Sequence, residues 1–255
     1  MKRLLLCLFL LGGCATSSGP VPSDNTSQIS PEKLSSARVH TELAANYYSR
    51  GQYSIALDEL GIALRTLPNY GPAYNMLGLV YMDLKEDAKA AQSFEQALKF
   101  DPNDSDANNN YGWFLCQRSD PAKSFAYFAA AQRNPLYTTP ERSLVNAGIC
   151  SRKVNDPVAA EKYFMRALAL RPTNTQALHN LAELSFQRGE FAESRNYLSR
   201  YMRLDSNPSA EALWLAVRVE RRLGSRGAEA NYAAQICQRF PDSSQCRSVR
   251  TGAER

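Results

Sequence analysis

The chain has 255 residues, 44% hydrophobic and 22% charged, enough to bury one large core or a series of smaller ones. Past residue 11 no apolar run approaches the roughly 18 residues a membrane span needs, and two histidines without a CxxC pair give no basis for a metal or cofactor. The formal charge of +5, or +3 once Lys2 and Arg3 leave with a signal, is too small to argue for nucleic acid.

Met1-Lys2-Arg3 reads as a basic n-region and Leu4 to Leu11 as a short apolar h-region. Leu11-Gly12-Gly13-Cys14 then resembles the bacterial lipobox, in which the signal is cut before the cysteine and the cysteine is acylated. Residues 1–13 are thus expected to be a lipoprotein signal peptide and Cys14 the lipidation site. Two or three acyl chains, at about 0.8 kcal/mol per buried CH₂, anchor permanently. Ala15 in place of Asp favours, by resemblance to Gram-negative lipoproteins, the outer membrane. Residues 14–35, rich in Ser, Pro, Gly, Thr and Asn, read as a lipidated flexible tether.

From residue 36 a 34-residue period takes over. Gly51, Tyr53, Ala56, Leu60, Ala63, Leu64 and Pro68 are followed one period later by Ala90, Phe94, Ala97, Leu98 and Pro102. Leu77-Gly78, Tyr111-Gly112, Ala147-Gly148, Leu181-Ala182 and Leu215-Ala216 mark the first helix of successive copies, with a two-residue insertion near Tyr137-Thr138-Thr139. The pattern resembles the tetratricopeptide repeat. It implies an all-α, right-handed superhelical solenoid of about six antiparallel helix pairs over 36–243, followed by a basic tail at 244–255. Small residues at positions 8, 20 and 27 let paired helices approach, and large apolar residues at 7, 11, 24 and 28 fill the gaps. Tyr53, Phe94, Phe128 and Phe164 are accordingly core residues.

In such a solenoid the first (A) helices build the concave wall, with positions 2, 5, 9, 12 and 13 facing the trough. That puts Tyr48, Asn75, Leu79, Met82, Asn109 and Trp113 in a candidate partner-binding groove, apolar and punctuated by Asn. Asn75 and Asn109 stand one repeat apart, as do Asn146 and Asn180, and either hold an extended peptide's backbone or satisfy the solenoid's own, just as Leu79, Met82 and Trp113 either face a partner or pack between neighbouring A helices. The groove lacks the Lys and Arg that clamp a terminal carboxylate, apart from Arg38.

Once Cys7 leaves with the signal and Cys14 is lipidated, four cysteines remain, an even number suited to an oxidising periplasm. Cys116 and Cys150 fall on consecutive A helices, about 8–10 Å apart in such packing, so a bridge is feasible. Cys237 and Cys246 then pair, pinning the tail against the last repeat. No GxxxxGK[ST], GxSxG or HExxH occurs, and His40 and His179 have no acidic partner in a recognisable spacing, so no enzyme is expected. Arg218, Arg221, Arg222, Arg226, Arg239, Arg247, Arg250 and Arg255 read as a solvated basic face.

Lipobox, tether and repeats together resemble the pilotins, the PilF/PilW family of type IV pilus biogenesis and stability lipoproteins. The strings Asn109-Asn110-Tyr111-Gly112-Trp113-Phe114-Leu115-Cys116, Asn134-Pro135-Leu136-Tyr137 and Asn146-Ala147-Gly148-Ile149-Cys150 sharpen the likeness. The resemblance implies a scaffold, anchored in the Gram-negative outer membrane and facing the periplasm, that brings secretin subunits there and promotes their multimerisation. A general periplasmic adaptor that recruits peptidoglycan enzymes is the competing expectation.

Overall fold

The computed structural model describes residues 30–118 and 120–252; the expected signal peptide, Cys14 and nearly all of the tether lie outside them. Thirteen helices and no strand are found among the described residues. Six antiparallel pairs follow in order: α1 (Pro31–Ser49) with α2 (Tyr53–Thr66), α3 (Gly71–Asp83) with α4 (Asp87–Phe100), and α5 (Ser105–Arg118) with α6 (Pro121–Ala131). The other three are α7 (Pro140–Lys153) with α8 (Pro157–Leu170), α9 (Thr175–Gln187) with α10 (Phe191–Leu204), and α11 (Ala210–Arg222) with α12 (Arg226–Arg239). A short α13 (Ser244–Thr251) closes the far end.

The helix starts are written locally. Ser30, Asp120, Asp156, Asn174, Ser209 and Ser243 each accept the orphan N–H three residues on, and Pro occupies the first turn of α1, α6, α7 and α8. In five of the six pairs the turn from A to B helix contains one left-handed residue. Gly51, Gly189 and Gly224 supply it without strain, whereas Lys85 (φ 62°) and Asn155 (φ 60°) supply it with a side chain.

Within a pair, the ring of the B helix rests on a bare Cα of the A helix. A Cβ built at Gly148 would lie 2.6 Å from Phe164, and one at Gly112 would lie 2.9 Å from Phe128. Phe94, Phe128 and Phe164 are fully buried, as the period predicts. Each A helix also packs closely on the next A helix, from α1 through α11, while successive B helices stand further apart and meet through long side chains, Phe125 of α6 on Tyr163 of α8 (6.4 Å) and Tyr197 of α10 on Met165 of α8 (3.5 Å). The A helices therefore take the inside of the curve.

Three boundaries differ from the sequence reading. α1 starts at Pro31 rather than 36, because Ser30 caps it and Pro31 and Glu32 fill its first turn. The sixth pair starts 35 residues after the fifth, not 34, because five residues rather than four separate α10 from α11; Val217, not Ala216, thus takes the place of Ala182. The tail is helical through Thr251, with Cys246 buried against Leu213, Val217 and Ile236.

Gly148→Ala should cost about 1–3 kcal/mol, since the added methyl must displace a ring held on all sides. Chemical denaturation monitored by helical circular dichroism measures it, and a loss below the error of the method would show that the Phe164 ring has room to move.

Candidate functional site

On the concave wall a cavity of about 320 Å³ is assembled from five consecutive A helices. Tyr48 of α1, Leu79 of α3 and Trp113 of α5 form its apolar side, and Val145 and Asn109, both almost wholly buried, close its floor. Asn146, Gln176 and Arg142 give it a polar side, with Arg142 3.5 Å from Asp106. The Tyr48 hydroxyl is held protonated by burial and by the nearby Asp83 carboxylate, so it acts as a neutral donor at the rim.

Four of the six expected groove residues, Tyr48, Leu79, Asn109 and Trp113, meet in this cavity. Met82 does not. It is 8% exposed and packs with Phe94 and Phe114, because the following A helix covers it; Cys116 at the same position is wholly buried.

The asparagines also have another role. Asn146 Nδ2 donates to Asn109 Oδ1 (3.0 Å), Asn109 Nδ2 to Asn110 Oδ1 (3.2 Å) and Asn110 Nδ2 to Asn75 Oδ1 (3.1 Å). This chain of amides crosses α7, α5 and α3 under the cavity. Asn75 and Asn109, expected to hold a ligand's backbone, are committed to one another through Asn110, and Asn109 is 1% exposed. Removing one amide would strand its neighbours, at about 1–3 kcal/mol each. Nor do Asn146 and Asn180 form a second rung: Asn180 accepts from Arg152 Nη1 (2.6 Å) and donates to Gln176 O. Arg142, Val145 and Gln176 sit at positions 2, 5 and 2 of their helices, so position counting carried past the insertion would have found them.

The structure joins Cys116 to Cys150 across α5 and α7 (Cα–Cα 5.9 Å) and Cys237 to Cys246 (Cα–Cα 4.9 Å). Lys153 reinforces the first bridge, donating to the Cys116 (2.8 Å) and Gln117 (3.0 Å) carbonyls at the C-terminal end of α5. His40, read as lacking an acidic partner, has Glu59 Oε2 2.6 Å from Nδ1; the partner lies on the paired helix, beyond any local spacing. Burial lowers the pKa of His179 and favours its neutral form.

Models of the tetratricopeptide repeat match residues 71–104, 93–132 and 152–216. The type IV pilus assembly protein PilF of Pseudomonas aeruginosa is 26% identical over 247 residues, 95% of either chain. The crystal structure of PilW, a widely conserved type IV pilus biogenesis factor, superposes with a TM-score of 0.76 and 34% identity over 84% of this chain and 97% of that one. That of Pseudomonas aeruginosa PilF gives 0.79 at 23% identity over 87% and 100%.

Non-reducing peptide mapping of periplasmically expressed protein should recover the 116–150 and 237–246 pairs. Replacing Cys116 and Cys150 together by Ala should cost at most about 4 kcal/mol, as expected for a loop of this length. Free thiols at Cys116 and Cys150 would return both residues to ordinary core packing.

Proposed function

Because the chain belongs to the type IV pilus biogenesis family of PilW and PilF, we propose that it is a pilotin, an outer-membrane lipoprotein that binds secretin subunits and promotes their targeting and multimerisation. The observation that supports this reading is the cavity on the concave wall. It offers a partially exposed Tyr48, Leu79 and Trp113 around a floor already satisfied by its own amides. Such a site takes an apolar side chain of a partner, since its floor has few polar groups left to pair. Arg142, Asn146 and Gln176 bound it on one side and supply hydrogen bonds to whatever backbone passes over it.

The anchor completes the proposal. Acylation at Cys14 would hold the solenoid at the inner face of the outer membrane, where secretin subunits must arrive. The Cys14→Ser chain should leave the outer-membrane fraction; unchanged fractionation would mean that the repeats hold it there.

Leu79→Glu should weaken secretin binding roughly thirtyfold or more, the equivalent of about 2 kcal/mol or above for an apolar anchor. Trp113→Ala should do likewise. Both side chains are partly exposed, so each variant is scored only if its helical content and melting temperature are kept. Normal secretin multimers with these folded variants would move the site elsewhere. Loss of cell-wall hydrolase activity with intact multimers would favour the adaptor reading.

A further inference from the structure

Paired helices run antiparallel, so the starts of all A helices and the ends of all B helices share one edge of the solenoid. Ser30, where the described chain begins, lies on that edge. α4, α8 and α10 each end there on an exposed large apolar residue, Phe100, Leu170 and Leu204. After α6 the insertion loop displays Leu136, 83% exposed, beside an open cavity of about 440 Å³ between the end of α6 and the end of α8.

Cations flank every one of these residues: Lys99 beside Phe100, Arg133 before Leu136, Arg171 after Leu170 and Arg203 before Leu204. The turns form a continuous row. Arg166 reaches Gln132 Oε1 (3.0 Å), Arg200 reaches Pro172 O (3.1 Å) and Arg239 reaches Pro208 O (3.1 Å), each bridging adjacent repeats. Acids on this edge are fewer. Asp101 and Asp104 neighbour Phe100; Glu141 is buried and paired with Arg171; Asp205 accepts from the Tyr201 hydroxyl and from the Asn207 N–H. From Arg133 to Asp205 the edge thus carries Arg133, Arg142, Arg166, Arg171, Arg200 and Arg203 against Glu141 and Asp205, with Asp106 of α5 reaching in to Arg142 (3.5 Å) and the Tyr137 hydroxyl (3.5 Å). A cation in the last turn of a helix suits its dipole. The exposed leucines have no such account.

The geometry points to an anionic lipid bilayer as the occupant of this edge, with Leu136, Leu170 and Leu204 entering the headgroup boundary and the arginines pairing with lipid phosphates. Leu136, Leu170 and Leu204 recur 34 residues apart, so they line the edge in a row instead of gathering in one pocket. The chain leaves the described solenoid from the same edge, and the stretch between Cys14 and Ser30 spans at most roughly 55 Å even when extended. An acylated Cys14 would therefore keep a bilayer within reach of this edge. The inference does not rest on secretin binding.

Hydrogen–deuterium exchange of the full chain reconstituted with vesicles tests it. Amides of 133–138 and 168–174 should exchange at least roughly fivefold more slowly with vesicles rich in phosphatidylglycerol than with phosphatidylcholine alone. The protection should fade in high salt, which shortens the Debye length. Leu136→Asp with Leu204→Asp, both at exposed sites, should abolish it while leaving the exchange of α5 and α7 unchanged. Equal exchange with the two lipids would overturn the proposal. So would protection that appears only when secretin is added, which would assign the edge to a protein.

Discussion

The rest of the molecule depends on one contact, a B-helix side chain laid on a nearly bare stretch of A helix. Where Phe94, Phe128 and Phe164 meet Gly78, Gly112 and Gly148, the helix axes can close to a distance that a methyl group would forbid. With each pair so compact, the next pair stacks A on A, and the B helices splay on the outside, meeting only through long side chains. Curvature, and hence a trough, follows from that asymmetry.

A trough cut by five A helices exposes the seams between them, and the chain closes the seams with polar groups that satisfy one another. The amide chain from Asn146 to Asn75 runs beneath the cavity, the Cys116–Cys150 bridge and Lys153 fasten α5 to α7 at one end, and Arg152 ties α7 to Glu183 of α9 (2.7 Å). The floor is rigid and polar yet presents little unpaired hydrogen-bonding capacity. What remains for a partner is the apolar side formed by Tyr48, Leu79 and Trp113 and the polar side of Arg142, Asn146 and Gln176. The stretch most heavily fastened is the one where the insertion after α6 interrupts the 34-residue rhythm.

The repeat was legible because its chemistry is local and periodic: a small residue, a ring and a Pro at fixed offsets need no knowledge of distant contacts. The Cys116–Cys150 pairing was legible for the same reason, and Cys237–Cys246 followed from it by elimination. What the sequence could not show was where a side chain on the rim of the concave face turns. Met82 and Tyr48 share position 12, yet Met82 is sealed by the following A helix and Tyr48 reaches the cavity. Asn75 and Asn109 differ by one period and were read as a ladder. The actual bonds skip that register, joining Asn110 to Asn75 and Asn146 to Asn109, because neighbouring helices are offset as well as translated. The sixth pair was misplaced by one residue because its small-residue signature is degenerate, and only the longer turn before α11 reveals the shift.

The central claim is that the concave cavity, and no other face, receives the partner. The most direct measurement places a photo-crosslinking amino acid at Leu79, on the outer-face residue Val158 or on the edge residue Leu136, one at a time, in cells assembling pili. The account predicts a secretin adduct from position 79 and none from 158 or 136. A secretin adduct from 158 or 136 with none from 79, in chains that accumulate to normal levels, would contradict it.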